Sequence, residues 1–193
     1  MSQIKLIISD LDGTLVSTFR ANYEAYKYSF SDCGLELTEE DYRNCFGFRF
    51  DDFMRVMNIS DIAVRQRIRE LKLNYYPKFF NHLIVNRPLV LFLQSFKNSG
   101  GITALASTAR KENIMNVINY INVEDAFTYI SAGEDVIYGK PNPDIYNNLL
   151  DRFKIKPEEA LVFEDSEVGV AAAVNAGINY IRIDNTYFDG IKS

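Results

Sequence analysis

The feature that most constrains this chain is the spacing of its short apolar runs. Lys5–Ser9, Ile102–Ser107, Tyr129–Ser131, Leu161–Glu164 and Tyr180–Ile183 are nearly continuous rather than alternating. That is the pattern of parallel strands covered on both faces, where neither side of the pleat meets water. Between the later runs lie stretches with helical periodicity: Pro88–Asn98, Lys111–Tyr120, Asp144–Phe153 and Val168–Ala176. Proline near the start of a stretch and glycine past its end (Gly100-Gly101, Gly177) punctuate them as helices. Strand alternating with helix implies an α/β fold, a Rossmann-like doubly wound parallel sheet.

One segment breaks the alternation. From Val16 to His82 there is helical periodicity and no convincing strand. Ala21–Asp32 carries Tyr and Phe at helical spacing, Thr38 precedes three acidic residues as an N-cap would, and Ser60-Asp61 opens a helix through Tyr76. The reading is an inserted all-helical cap. Residues 1–15 and 88–193 form the core and residues 16–87 the cap, with hinges near Val16–Thr18 and His82–Arg87. The Tyr23, Tyr26, Tyr28 and Phe30 cluster is expected to pack the cap.

Composition excludes several functions. The net charge of −5 gives no long-range attraction for nucleic acid or an anionic membrane. Two cysteines, Cys33 and Cys45, and the single histidine, His82, cannot build a nitrogen and sulfur zinc site. Any metal should be a hard cation on carboxylates. The cysteine usage and the start of the chain, with no room for a signal peptide before the first apolar run, predict a cytoplasmic protein. The negative charge does not exclude a small phosphorylated metabolite, which a few local cations and a metal can bind; no nucleic acid or membrane partner is expected, and the chain is a monomer by default.

Chemistry gathers where the strands end. The first ends in Asp10-Leu11-Asp12, the second in Ser107-Thr108, and the fourth in Glu164-Asp165; Lys140 precedes the Pro141 that leads into a helix. Ligands of open parallel sheets sit at the carboxyl ends of strands. Two crowded carboxylates repel unless a cation intervenes, so Asp10 and Asp12 suit one metal-relieved carboxylate and one proton carrier. A hydroxyl at Ser107 or Thr108 can donate to a phosphoryl oxygen, Lys140 can neutralise charge, and Glu164 with Asp165 suits Mg2+. Together these groups suit phosphoryl transfer, in which positioning and charge neutralisation dominate.

The stretches DLDGTL at 10–15, ALAST at 104–108, GKPNPDIY at 139–146 and FEDSEVGVAAAVNAG at 163–177 resemble the haloacid dehalogenase superfamily of aspartate-nucleophile phosphotransferases, in the branch of β-phosphoglucomutase and phosphoglycolate phosphatase. The resemblance implies a phosphatase working through an aspartyl phosphate. Asp10 would attack phosphorus, and Asp12 would protonate the leaving oxygen and activate water. Ser107 and Lys140 would hold the phosphoryl oxygens. Asp10, Asp165 and the Asp12 carbonyl would bind Mg2+, with Glu164 close by or acting through water. Arg49, in Gly47-Phe48-Arg49, is either a cation for the far end of the substrate or a snorkelling surface arginine. Arg110 is open in the same way, between the site and a helix cap. Asn22 aligns with a histidine of the mutase cap and Ser17 replaces a common acidic residue, which favours hydrolysis over mutase activity. A non-catalytic phosphate- or partner-binding protein is the competing class.

Overall fold

The computed structural model describes residues 3–184 and 186–188. By chain contacts it divides into two compact units, Met1–Ser17 with Ile84–Ser193, and Thr18–Leu83.

The first unit is built on a parallel sheet. Its strands are β1 (Leu6–Ser9), β4 (Ile102–Ala106), β5 (Tyr129–Ser131), β6 (Ala160–Glu164) and β7 (Asn179–Arg182), in the order β5-β4-β1-β6-β7. β1 lies in the middle, with Leu6 level with Ile102 on one side and Ala160 on the other. Alternate residues face opposite sides of the pleat. Leu6, Ile8, Ala104, Ala106, Ala160 and Val162 therefore share one face and pack with Ile145, Tyr146, Leu149 and Leu150 of α7 (Asp144–Phe153) and Ala172, Ala173 and Ala176 of and after α8 (Glu167–Asn175). On the opposite face Phe163 meets Phe92 of α5 (Arg87–Asn98) edge to face, with ring centroids 5.8 Å apart; α6 (Lys111–Tyr120) follows β4 in the chain. β7 departs from expectation. All four of its residues are exposed, unlike those of β5 at the other edge, of which two are buried.

Because β4 and β5 lie to one side of β1 and β6 and β7 to the other, the loops after β1, β4 and β6 leave the same end of the sheet and diverge there. That is the crevice an open α/β sheet offers a ligand.

The expectation of no strand between Val16 and His82 needs correction. β2 (Val16–Ser17) pairs antiparallel with β3 (Ile84–Val85), Val16 opposite Val85. Two-residue strands are too short to leave a period in the sequence, and this ladder joins positions far apart in the chain. Asn86 ties the same region to the first loop, donating through its amide to the Thr14 carbonyl at 3.1 Å.

The second unit is helical: α1 (Phe19–Ser31), α2 (Glu39–Cys45), α3 (Phe50–Val56) and α4 (Ile62–Tyr75), followed by a 3-10 segment over Tyr76–His82. α1 packs on α4 and on the 3-10 segment. Thr38 caps α2 by accepting from the Asp41 amide at 3.1 Å while Asp41 bonds back, and Asp61 caps α4 by accepting from Ala63 and Val64. Tyr23, Phe30, Tyr42, Phe53, Met54 and Ile68 form its core, so Tyr23 and Phe30 of the aromatic cluster pack inward, whereas Tyr28 is exposed. α3 carries no expectation from sequence, since two turns are too few for periodicity to stand out. Among the described residues no helix is long and apolar enough to cross a membrane.

Candidate active site

The loop after β1 turns back on itself. Gly13 donates its N–H to the Val16 carbonyl at 2.9 Å, and Leu15 and Val16 both donate to the Leu11 carbonyl. Gly13 sits at φ +94°, a conformation that L side chains rarely adopt, and a Cβ built on it would overlap the Asp165 carboxylate. The glycine thus lets the first loop press against the loop that follows β6. Thr14, from the same turn, donates its hydroxyl to Asp165 Oδ1 at 2.9 Å.

Asp10 is held by its backbone N–H, which donates to the Phe163 carbonyl at 3.0 Å, and its carbonyl accepts from the Ser9 hydroxyl at 2.7 Å. Its carboxylate accepts from Lys140 Nζ at 2.7 Å. The lysine also donates to Glu164 Oε1 at 2.5 Å and to the Ala106 carbonyl at 3.1 Å. The Lys140 side chain is 3% exposed, Glu164 1% and Asp165 7%. Lys140 reaches this depth from the loop between β5 and α7, so β1, the end of β4, that loop and the end of β6 all contribute to one cluster.

Ser107, at the end of β4, is buried; its N–H donates to the Ser131 carbonyl at 3.1 Å and its hydroxyl oxygen accepts from the Ala109 amide at 3.1 Å. Thr108 is half-buried, with its carbonyl so close to Gly133 that no Cβ would fit there. Asp12 lies half-buried in the first turn, bridged to Val16. Arg49 belongs to the helical unit, where it is half-buried and precedes α3 as its N-cap residue. Arg110 is exposed and lies 3.6 Å from Glu134, and His82 is exposed and stacks on Phe79.

The charges are unbalanced. Asp10, Glu164 and Asp165 surround a single ammonium. Burial holds the Asp10 carboxyl well above the usual range; Lys140 opposes this, and Glu164 and Asp165 add to it. Asp165 is pushed up to about 6, by burial first and by Glu164 second, against the Thr14 hydrogen bond. Lys140 pays the same burial cost, but Asp10 and Glu164 hold it well above the usual lysine value. A buried site with an excess of negative charge and only oxygen donors suits a hard divalent cation. Asp10, Glu164 and Asp165 each offer a carboxylate oxygen, all within 4.8 Å of one another.

Four residues singled out from sequence, Asp10, Lys140, Glu164 and Asp165, are thus in direct or near contact. Ser107, Thr108 and Asp12 line the same end of the sheet. Thr14 and Tyr146 were given no role from sequence. Tyr146 is a fully buried tyrosine on the apolar face of α7, and its hydroxyl donates to Glu164 Oε1 at 3.3 Å. Its signal was a phenol on a face otherwise made of Ile and Leu, where a buried O–H must find a partner.

Comparison with known proteins places this geometry. The family described as haloacid dehalogenase-like hydrolase matches residues 7–183. A phosphorylated carbohydrates phosphatase of Thermotoga maritima is 31% identical over 185 residues, spanning 92% of this chain and 84% of that protein. A phosphoglycolate phosphatase of Vibrio vulnificus is 28% identical, covering 91% and 81%. The crystal structure of CbbY from Rhodobacter sphaeroides in complex with phosphate superposes with a TM-score of 0.84 at 24% identity, over 94% of this chain and 87% of that one, which speaks to the fold.

Proposed function

Because the chain belongs to the haloacid dehalogenase-like hydrolase family, we propose that it is a Mg2+-dependent phosphatase of a small phosphorylated metabolite, working through an aspartyl phosphate on Asp10. It is a phosphoric monoester hydrolase, as its relatives are. The observation that carries the finer reading is the buried contact of Asp10 with Lys140 beside Asp165, at the carboxyl end of the central strand.

In the first half-reaction an Asp10 carboxylate oxygen attacks phosphorus, the bond from phosphorus to the ester oxygen breaks, and Asp12 gives that oxygen its proton. In the second, Asp12 takes a proton from water, the resulting nucleophile attacks phosphorus, and the Asp10 carboxylate leaves. Lys140 and the Ser107 hydroxyl neutralise the phosphoryl oxygens through both steps. The Ser107 proton is available for this, since in the hydrogen bond to Ala109 its oxygen is the acceptor. Asp10 and Asp165, with the Asp12 carbonyl, would hold Mg2+, which supplies further charge neutralisation on the transferred group. A cytoplasmic location belongs to the same reading, in keeping with two free cysteines.

The test is phosphate release from an aryl phosphate and a panel of metabolite phosphates with Mg2+, wild type beside Asp10→Asn. Turnover by the wild type alone, abolished by EDTA, supports the reading. Equal rates for the two proteins would refute the nucleophile.

A further inference from the structure

We infer that a cleft at the amino-terminal edge of the parallel sheet binds a small aromatic carboxylate, with Phe96 and Phe153 against its ring and Lys154 on its charge. The cleft lies within the first unit and is independent of the phosphatase reading.

The cleft has a volume of about 410 Å³, within the range of small-molecule pockets. The residues that lead into β1 and β4, Ile4 with Lys5 and Gly101 with Ile102, line it. Their backbones are already joined, the Ile102 N–H donating to the Lys5 carbonyl at 2.9 Å. α5 and α7 lie on opposite faces of the sheet, and each ends at the cleft. Each brings a half-buried phenylalanine from its last turn, Phe96 and Phe153. Both rings are fixed from behind. A Cβ on Gly101 would overlap the Phe96 ring, so that ring lies directly on backbone. Phe153 packs edge to face on Tyr129, with centroids 6.3 Å apart. Two rings already held in place can take a planar apolar body with little further loss of side-chain freedom.

The charge at the cleft selects an anion. Carbonyls at a helix C-terminus attract cations, but here both ends are closed. Gly100 and Gly101 donate their N–H groups to the Lys97 and Phe96 carbonyls, and Lys154 and Ile155 donate to those of Asp151 and Leu150. The Ser99 hydroxyl is committed to the Ser95 carbonyl at 2.8 Å, and Lys5 to Glu159 at 2.5 Å. Lys154 is different. It is exposed, lines the cleft and pairs with no carboxylate among the described residues. It also stands at φ +54°, where a helix is ordinarily ended by glycine or asparagine. One uncommitted ammonium beside apolar walls fits a ligand with a single anionic head and an apolar ring. That ligand is not the substrate of the catalytic cluster. Asp10 lies five residues along from Lys5, about 16 Å of extended chain, at the other end of the central strand.

The experiment titrates the full chain with 2-naphthoate, and with 2-naphthamide as its uncharged match, following backbone amide chemical shifts. Saturable shifts are expected at Lys5, Gly100, Gly101 and Ile155, and none at Asp10, Lys140 or Asp165. The carboxylate should bind about threefold or more tighter than the amide, the scale of one solvent-exposed charge pair. Lys154→Asn keeps a residue that tolerates the left-handed backbone and removes the ammonium. It should weaken 2-naphthoate about three- to fivefold and leave 2-naphthamide within about twofold. Ser99→Trp, which places an indole in the cleft, should remove binding of both. Inorganic phosphate with Mg2+ should displace neither. The inference is overturned if no saturable shifts appear, if they map to another surface, if acid and amide bind equally, if Lys154→Asn leaves the acid's affinity unchanged, if Ser99→Trp still binds, or if phosphate competes. Should Ser99→Trp not fold, the shift map, the comparison of acid with amide and Lys154→Asn decide by the same criteria. None of these readouts uses turnover, so a failure of the phosphatase reading leaves the test of the cleft intact.

Discussion

Asp165→Asn should make the metal-free protein more stable at neutral pH while abolishing its function. Asp165 titrates at about 6 in the folded chain against an ordinary value of 3.8, owing to burial and the neighbouring Glu164. Between these values the folded state holds more protons than the unfolded one, so stability falls as pH rises through that window. A difference of about two pH units corresponds to roughly 3 kcal/mol at most, fully lost above pH 6 and regained below pH 4. Asparagine removes the charge and keeps an Oδ1 to accept the Thr14 hydroxyl. For a chain of this length, 2–3 kcal/mol corresponds to roughly 4–12 °C in Tm. Thermal unfolding in EDTA, wild type beside variant, should therefore show a gap that is near zero at pH 4, opens between pH 4 and 6, and persists at pH 8. A variant no more stable than wild type at pH 8, or a gap of the same size at every pH, would refute the claim that unrelieved carboxylate charge strains this site.

The same charge excess predicts that Mg2+ raises the Tm of the wild type at pH 7.5 and not that of Asp165→Asn, with the response fading below pH 6 as protons compete for the carboxylates; scanning calorimetry across pH checks both. Lys140→Met leaves Asp10 and Glu164 buried without their cation, which should destabilise by about 3–5 kcal/mol in denaturant titration and remove activity. Gly13→Ala combines a positive φ with an overlap at Asp165; it should cost about 1–2 kcal/mol or more and lower kcat/KM at least about tenfold. Thr38→Ala, which removes the cap of α2, should cost about 1 kcal/mol in thermal unfolding.

Which parts of this protein were legible in sequence follows from how local each signal is. Leu6–Ser9 and Ala160–Glu164 were readable because burial on both faces forces an uninterrupted apolar run, and α7 and α8 because proline, glycine and period frame them. Asp10, Lys140 and Asp165 were readable because they stand at strand ends or before a helix, where an open sheet exposes its chemistry. Val16–Ser17 with Ile84–Val85, and α3, were not, since elements of two residues or two turns carry too little pattern. Only tertiary structure decided what Glu164 touches. Sequence supplied a carboxylate next to Asp165, consistent with a metal ligand or a hydrogen-bond partner. The convergence of Lys140 and Tyr146 on one of its oxygens depends on how α7 packs against the sheet, and side chains on separate elements meet through packing rather than through spacing along the chain.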